Sequence, residues 1–265
     1  DITTLMVWQK GHLSFIEFFA LFIPSVVNYL VPAIIMSMAI NNENPKVVSE
    51  QVVMKRGAKR IIALFMLTIL TAISFHNFLH LPPFLGMITG LAYLKFFGYY
   101  LRKTHVVLEQ DVPVYGQVGD VAAFDSYREV ARAEWDTLLF FFGVIMCVGG
   151  LGFIGYLVHL SNYLYLELGP TIANILVGVF SSILDNIPIM VAVLQMEPNM
   201  SESQWLLVTL TAGVGGSMLS IGSAAGVALM GQARGIYTFF GHLKWTPAIA
   251  LGYGLSIWVH LLINT

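Results

Sequence analysis

Seven long apolar runs constrain this chain more than any motif in it: residues 13–40, 61–80, 84–101, 137–160, 171–197, 205–233 and 246–263. Crossing the hydrocarbon of a bilayer takes roughly 20 helical residues, and every backbone N–H and C=O must be paired there without help from water. A mean hydropathy of +0.77, with 57% hydrophobic and 11% charged residues, places the chain among polytopic, all-α membrane proteins with the lipid bilayer as first partner. The formal net charge of −2 and the lack of basic blocks interleaved with aromatics set nucleic-acid binding aside. A single cysteine, Cys147, excludes an internal disulfide and a zinc cluster, and its apolar surroundings read as those of a buried structural thiol. The opening Asp1-Ile2-Thr3-Thr4 has no start methionine, and further residues are expected upstream.

Basic residues orient the runs. Lys46, Lys55, Arg56, Lys59 and Arg60 cluster in the loop 41–60, and Arg102, Lys103, Arg128 and Arg132 lie in 101–136, so both loops are expected on the cytoplasmic side, as is Arg234 to Lys244. The stretch 124–135 reads as an amphipathic helix lying on that face. With those loops inside, His80-Leu81-Pro82-Pro83 and 161–170 face outward, and 171–197 must enter and leave from the outside. A re-entrant hairpin satisfies this, with limbs of about 10–14 residues that are too short to span.

Asp185 would lie at the tip of that hairpin, as the only ionisable side chain between Glu167 and Glu197. An intramembrane carboxylate marks an ion pathway by default. Pro188 cannot donate a backbone hydrogen bond and disfavours helix at the residue before it, so the chain is expected to unwind around Asp185 and Asn186. Ser181 and Ser182 add hydroxyls one turn earlier, giving an oxygen-rich set suited to a small hard cation. The plainer reading of the same residues is a polar knot that glues helices together. A second break is expected in 205–233, where Thr211-Ala-Gly213-Val-Gly215-Gly216-Ser217 leads into Ser220-Ile-Gly222-Ser223-Ala-Ala-Gly226. Glycines and serines weaken a helix there, and the Gly222/Gly226 spacing also suits close helix packing. Neither strand context nor a following acidic residue supports a dinucleotide fingerprint.

Residues 1–40 resemble a worn copy of 224–263: Gln9 and Pro24 recur as Gln232 and Pro247, and Lys10-Gly11 resembles Arg234-Gly235 after a one-residue slip. The first copy would run inward and the second outward, the arrangement of inverted repeats in secondary transporters.

Ser181-Ser182-Ile-Leu-Asp185-Asn186-Ile-Pro188, Gly215-Gly216-Ser217-Met-Leu-Ser220-Ile-Gly222-Ser223-Ala-Ala-Gly226 and Asp1-Ile-Thr3-Thr4-Leu-Met-Val-Trp8 together resemble the NhaD-type sodium/proton antiporters of the ion transporter superfamily. The resemblance covers nearly the whole chain. It implies an inverted-repeat transporter with 1–40 as the tail of the amino-terminal repeat, 41–60 as a cytoplasmic loop, and 61–265 as the carboxy-terminal repeat. That last part would hold the hairpin 171–197 and the broken helix 205–233. The resemblance further implies a homodimer in the cell inner membrane that exchanges Na⁺ or Li⁺ for H⁺ without a cofactor, and whose missing amino-terminal half is needed for transport. Asp185 would hold the Na⁺, with Asn186, Ser181, Ser182, Ser220 and Ser223 around it, while Asp1, Thr3 and Thr4 would serve the pseudo-symmetric site. Because desolvation favours the protonated form of a carboxylate, competition of Na⁺ and H⁺ for one Asp is enough to couple the two fluxes.

A sodium-coupled dicarboxylate carrier of the same superfamily is the alternative, and Asp185 argues against it because a fixed carboxylate repels a dianion. An intramembrane enzyme lacks support, since neither H-E-x-x-H nor a local nucleophile–base pair occurs. His76, His80 and His159 read as interfacial histidines, Glu17 as an interfacial acid near His12, Asn28 as a packing amide, Lys95 as a snorkelling residue, and Thr68, Thr71 and Ser74 as interhelical contacts or back-bonds within their own helix.

Overall fold

The computed structural model describes residues 2–39, 56–104 and 135–265, and every regular element among them is a helix. Asp1, Lys46, Lys55, Arg128, Arg132 and the expected amphipathic segment up to residue 134 lie outside the described residues. The chain forms two compact units, Asn44–Trp135 and the pair of segments Asp1–Glu43 with Asp136–Thr265.

The larger unit begins with α1 (Ile2–Gln9), a 3₁₀ turn (Glu17–Leu21) and α2 (Phe22–Ser37). The smaller unit is an antiparallel pair, α3 (Ala58–Leu79) and α4 (Pro83–Lys103). Its turn forms because His80 takes a left-handed conformation (φ 52°) and caps α3 through its N–H to the Phe75 carbonyl. The helices approach closely at Gly86, against the Ala72 backbone, and at Gly90, against Thr68. Thr68 and Thr71 donate to the Leu64 and Leu67 carbonyls of their own helix, at 2.8 Å each.

The rest of the larger unit comprises α5 (Trp135–Phe153), α6 (Tyr156–Ser161) running into a π-helical stretch (Asn162–Glu167), α7 (Pro170–Ser181), α8 (Asn186–Met196), α9 (Glu202–Gly215), α10 (Ala224–Gln232), α11 (Phe239–Leu243) and α12 (Thr246–Asn264). Four helices among the described residues are long and apolar enough to cross a membrane: Glu17–Ser37, Ala58–Leu79, Pro83–Leu101 and Thr246–Asn264. The run expected as one span over 137–160 is instead broken, with Leu138–Phe153 and Tyr156–Glu167 meeting at 82°. Gly155 (φ 87°) makes the corner, a conformation that costs little without a Cβ. Cys147, expected to be buried, is exposed on α5. α5 is apolar all round, so a residue hidden from water by lipid need not be covered by protein.

Helix α9 is the core of this unit: Trp205 through Ala212 are all buried. One cluster joins Val7 of α1, Val177 of α7, Met190 and Leu194 of α8, and Leu210 of α9. A second joins Leu207 to Ile249, Tyr253 and Ile257 of α12. Helices α2 and α12 run antiparallel, since Asn264 at the end of α12 donates to the Ala20 carbonyl just before α2 at 3.2 Å, and Gly252 packs on Asn28 and Pro32. Displaced by 223 positions, Ile2–Gln9 falls within α10 and α2 falls on α12. The one-residue slip seen in sequence reappears as two left-handed glycines, Gly11 and Gly235, each with φ 79°.

Candidate functional site

The hairpin forms as the apolar lengths demand. Limbs α7 and α8 hold 12 and 11 residues, about 18 and 16 Å of helix at 1.5 Å per residue. Pro170 opens α7 at its first position, where a missing N–H costs nothing. Pro188 is the third residue of α8, still within the first turn. The unwinding expected around Asp185 and Asn186 is confined to Asp185, which is extended (φ −56°, ψ 144°) at the N-cap position of α8; Asn186 and Ile187 are already helical, because a proline in the first turn removes no intrahelical N–H. Its carboxylate lies beside the Asn186 and Ile187 N–H groups without a cap hydrogen bond of full geometry. The N-terminus of a helix is where a negative charge is held most favourably. Asp185, Asn186 and Pro188 are all half-buried.

The second break runs from Gly216 to Ser223, between α9 and α10. The two breaks meet where Gly222 packs on the Ser181 and Ser182 backbone. A Cβ at Gly222 would fall 2.7 Å from the Ser181 carbonyl oxygen; within the second break itself, one at Gly216 would fall 2.6 Å from the Gly222 carbonyl oxygen. Gly215 meets the Gly178 backbone in the same way. Only glycine permits such an approach, which explains why so many occur in a stretch that has to pack tightly.

The serines hold this junction. Buried Ser181 donates to the Ala212 carbonyl at 2.8 Å, across from α7 to α9. Ser182 bonds back to Val179 at 2.7 Å. Ser223 accepts the Gly226 N–H at 3.2 Å and so caps α10. Buried Ser220 lies 3.5 Å from the Met230 sulfur. The sequence-derived residues Ser181, Ser182, Gly215, Gly216 and Gly222 are therefore brought together, with Asp185 three residues beyond Ser182 and Ser220 and Ser223 flanking Gly222.

Thr3 and Thr4 stand on α1, which packs against the hairpin limb α8 and against α9. Thr3 is fully buried, and both line a cleft of about 430 Å³ with Phe18, Ser25, Thr209 and Gly213. Glu17 accepts the Ser14 N–H at 2.8 Å, the bond of a residue that fixes a turn.

Three residues went unread in the sequence. Asn174, fully buried in α7, donates to Gln204 (Oε1 and backbone O, 3.0 Å each), and its backbone carbonyl accepts Thr211 Oγ1 at 2.8 Å. Its signal was an isolated amide in an apolar run. His242 Nε2 donates to the Ser217 carbonyl at 3.1 Å while Tyr237 OH donates to Nδ1 at 2.6 Å, and Thr246 Oγ1 donates to the Met218 carbonyl at 2.9 Å. These last two groups occupy carbonyls that the break leaves without helical partners, and nothing local in the sequence pairs them with it.

The site thus offers one carboxylate, neutral hydroxyls and unwound carbonyls. Among the described residues no three His, Cys, Asp or Glu side chains gather. Two helix interruptions that meet through Gly222 and the Ser181 backbone, one of them leading into Asp185, match the broken-helix class of secondary transporters.

Residues 2–213 match the citrate transporter family, and the chain belongs to it. It is 59% identical to the Na⁺/H⁺ antiporter NhaD of Vibrio cholerae over 100% of its own length and 57% of that protein's. It is 60% identical to NhaD of Vibrio parahaemolyticus, covering 96% of this chain and 64% of that one. Sodium/proton antiporter 1 of Arabidopsis thaliana is 31% identical over 100% of this chain and 45% of its own. The resemblance read from the hairpin and glycine signatures therefore holds, and the chain spans a little over half the length of the bacterial relatives it matches. No solved structure matches.

Proposed function

We propose that this chain supplies the cation-handling carboxylate of a membrane exchanger that trades Na⁺ or Li⁺ for H⁺. The observation that carries the reading is the placement of Asp185 at the turn of a hairpin whose backbone is docked on a second helix break. One negative charge among neutral oxygens suits a monovalent cation, and the C-terminal ends of α7 and α9 direct partial negative charge toward the junction. A proton and a Na⁺ cannot both satisfy one carboxylate, so each displaces the other. Asn186, Ser181, Ser182, Ser220 and Ser223 complete the polar surroundings.

The antiporter names of relatives at 58–60% identity support the same exchange. In this reading α1, the 3₁₀ turn and α2 are the inverted counterpart of α10, α11 and α12, and Asp1, Thr3 and Thr4 belong to the second, pseudo-symmetric site. Assembly as a homodimer in the inner membrane, with the remaining half of the relatives' length, is part of the reading. The alternative, sodium-coupled uptake of a dicarboxylate, shares with the family's description as a citrate transporter only the carriage of a carboxylate anion, and Asp185 opposes it.

The test is a dequenching assay on everted vesicles carrying the full-length protein. Asp185→Asn should abolish Na⁺-dependent proton movement, and its survival would overturn the proposed role. Uptake of labelled succinate into proteoliposomes without a sodium-driven pH change would establish the alternative.

A further inference from the structure

The proposed exchange makes no use of a basic pocket at the open end of the α3–α4 hairpin. This pocket, of about 370 Å³, is lined by Arg56, Gly57, Lys59, Arg60, Tyr100 and Leu101. Arg56 is fixed there: Nη1 donates to the Thr104 carbonyl at 2.7 Å and Nη2 to Thr104 Oγ1 at 3.1 Å. One guanidinium thus ties the end of α4 to the start of α3 and keeps donors to spare. Lys103 stands nearby, its ammonium 5.8 Å from the Tyr99 ring centre. Among the described residues no carboxylate pairs with Arg56, Lys59, Arg60 or Lys103, so the positive charge at this mouth is not neutralised from within the hairpin.

The walls next to it are apolar and open. Ile62, Phe65, Phe96, Tyr99 and Tyr100 are exposed along the same two helices, both long and apolar enough to cross a membrane. A ligand that fills the mouth would meet cations at one end and lipid-facing hydrocarbon at the other.

We infer that this pocket binds the phosphate headgroup of an anionic phospholipid, its acyl chains lying along α3 and α4. Basic pockets between transmembrane helices on the cytoplasmic side suit such headgroups, and the charge here is on the side that positive residues mark as cytoplasmic. A free phosphate shares the headgroup's charge but has nothing to place against the exposed apolar walls.

The experiment is native mass spectrometry of the full-length protein released from detergent, with phosphatidylglycerol, phosphatidylcholine or inorganic phosphate added. Phosphatidylglycerol should remain bound to the wild type, while phosphatidylcholine should not. Replacing both Lys59→Gln and Arg60→Gln should weaken retention about 30-fold, from the usual worth of two basic side chains near an anionic surface. Because loop charge also sets topology, a second variant adds Met38→Lys and Ala39→Lys, exposed positions next to the same loop that do not line the pocket, to restore the charge. It should insert normally and still fail to retain the lipid. Equal retention of the two lipids, recovery of retention in the charge-restored variant, or displacement of the lipid by equimolar inorganic phosphate would each overturn the assignment.

Discussion

Gly222, in the break between α9 and α10, lies against the carbonyl oxygen of Ser181 in the hairpin, and an added Cβ there would fall 2.7 Å from it. The neighbouring contact is backbone and cannot rotate away, so Gly222→Ala must push the two breaks apart. Overpacking of this kind costs about 1–3 kcal/mol. The expected outcome is a lower thermal midpoint in detergent together with loss of Na⁺-dependent proton movement. Gly254→Ala is the control, because its Cβ would meet nothing within 4 Å, and it should match the wild type in both assays.

The two serines of the hairpin should behave differently. Ser181 gives its hydroxyl proton to the Ala212 carbonyl, which lies in the last turn of α9, where carbonyls lose their helical partners. Ser181→Ala therefore strands a buried acceptor, at a cost of about 1–3 kcal/mol. Ser182 bonds to the Val179 carbonyl, which already accepts the Ser182 N–H at 3.1 Å. Ser182→Ala should leave the thermal midpoint nearly unchanged. Equal losses from the two variants would contradict this division of labour.

Short apolar limbs and clustered glycines made the two short helices and the Gly-rich break legible in the sequence, because local chemistry enforces both; Pro188 was a poorer guide, since it and Ile187 lie in the first turn of α8 and only Asp185 is extended. The bend at Gly155 was hidden, since Gly149, Gly150, Gly152 and Gly155 are all plausible in an apolar span and only one turns left-handed. The partners of the breaks were hidden for another reason. Ser181 reaches Ala212, His242 reaches Ser217 and Tyr253 reaches the Ile175 carbonyl, contacts between elements far apart in the chain that no local pattern announces. The exposure of Cys147 shows a third limit, because hydropathy cannot tell burial in protein from burial in lipid.

His12, in the turn after α1 and outside the span that starts at Glu17, stacks on Trp205 with ring centres 3.8 Å apart and planes 11° apart. Loss of solvent holds its imidazolium below the ordinary 6.5, with Glu197 pulling the value up and Lys10 pushing it down. The folded protein therefore binds this proton less readily than the unfolded chain does. The contribution to stability is complete above about 6.5 and is lost as pH falls through the lower folded value. In a pH titration of tryptophan emission, the difference between wild type and His12→Gln should develop below 6.5. Glu197→Gln should move that midpoint further down and Lys10→Gln should move it up. A midpoint above 6.5, or one indifferent to both charges, would show that the stacking does not control the histidine.

His242 connects α11 to the second break through a chain with fixed proton positions. The Ser217 carbonyl can only accept, so Nε2 carries the hydrogen, and Nδ1 must then accept from Tyr237. Burial holds the Tyr237 phenol above its ordinary range, which keeps it a donor. His242→Ala removes the bond that satisfies Ser217, while His242→Gln can still donate to it. One hydrogen bond is worth about 0.5–1.5 kcal/mol net, which corresponds to roughly two- to tenfold in a local opening equilibrium. Amide hydrogen exchange over residues 217–223 should accelerate by that factor in His242→Ala and recover in His242→Gln. Tyr237→Phe should accelerate it less, because it removes only the proton donor that fixes the ring. Identical exchange in wild type and His242→Ala would show that the break is held by Thr246 and the glycine contacts alone.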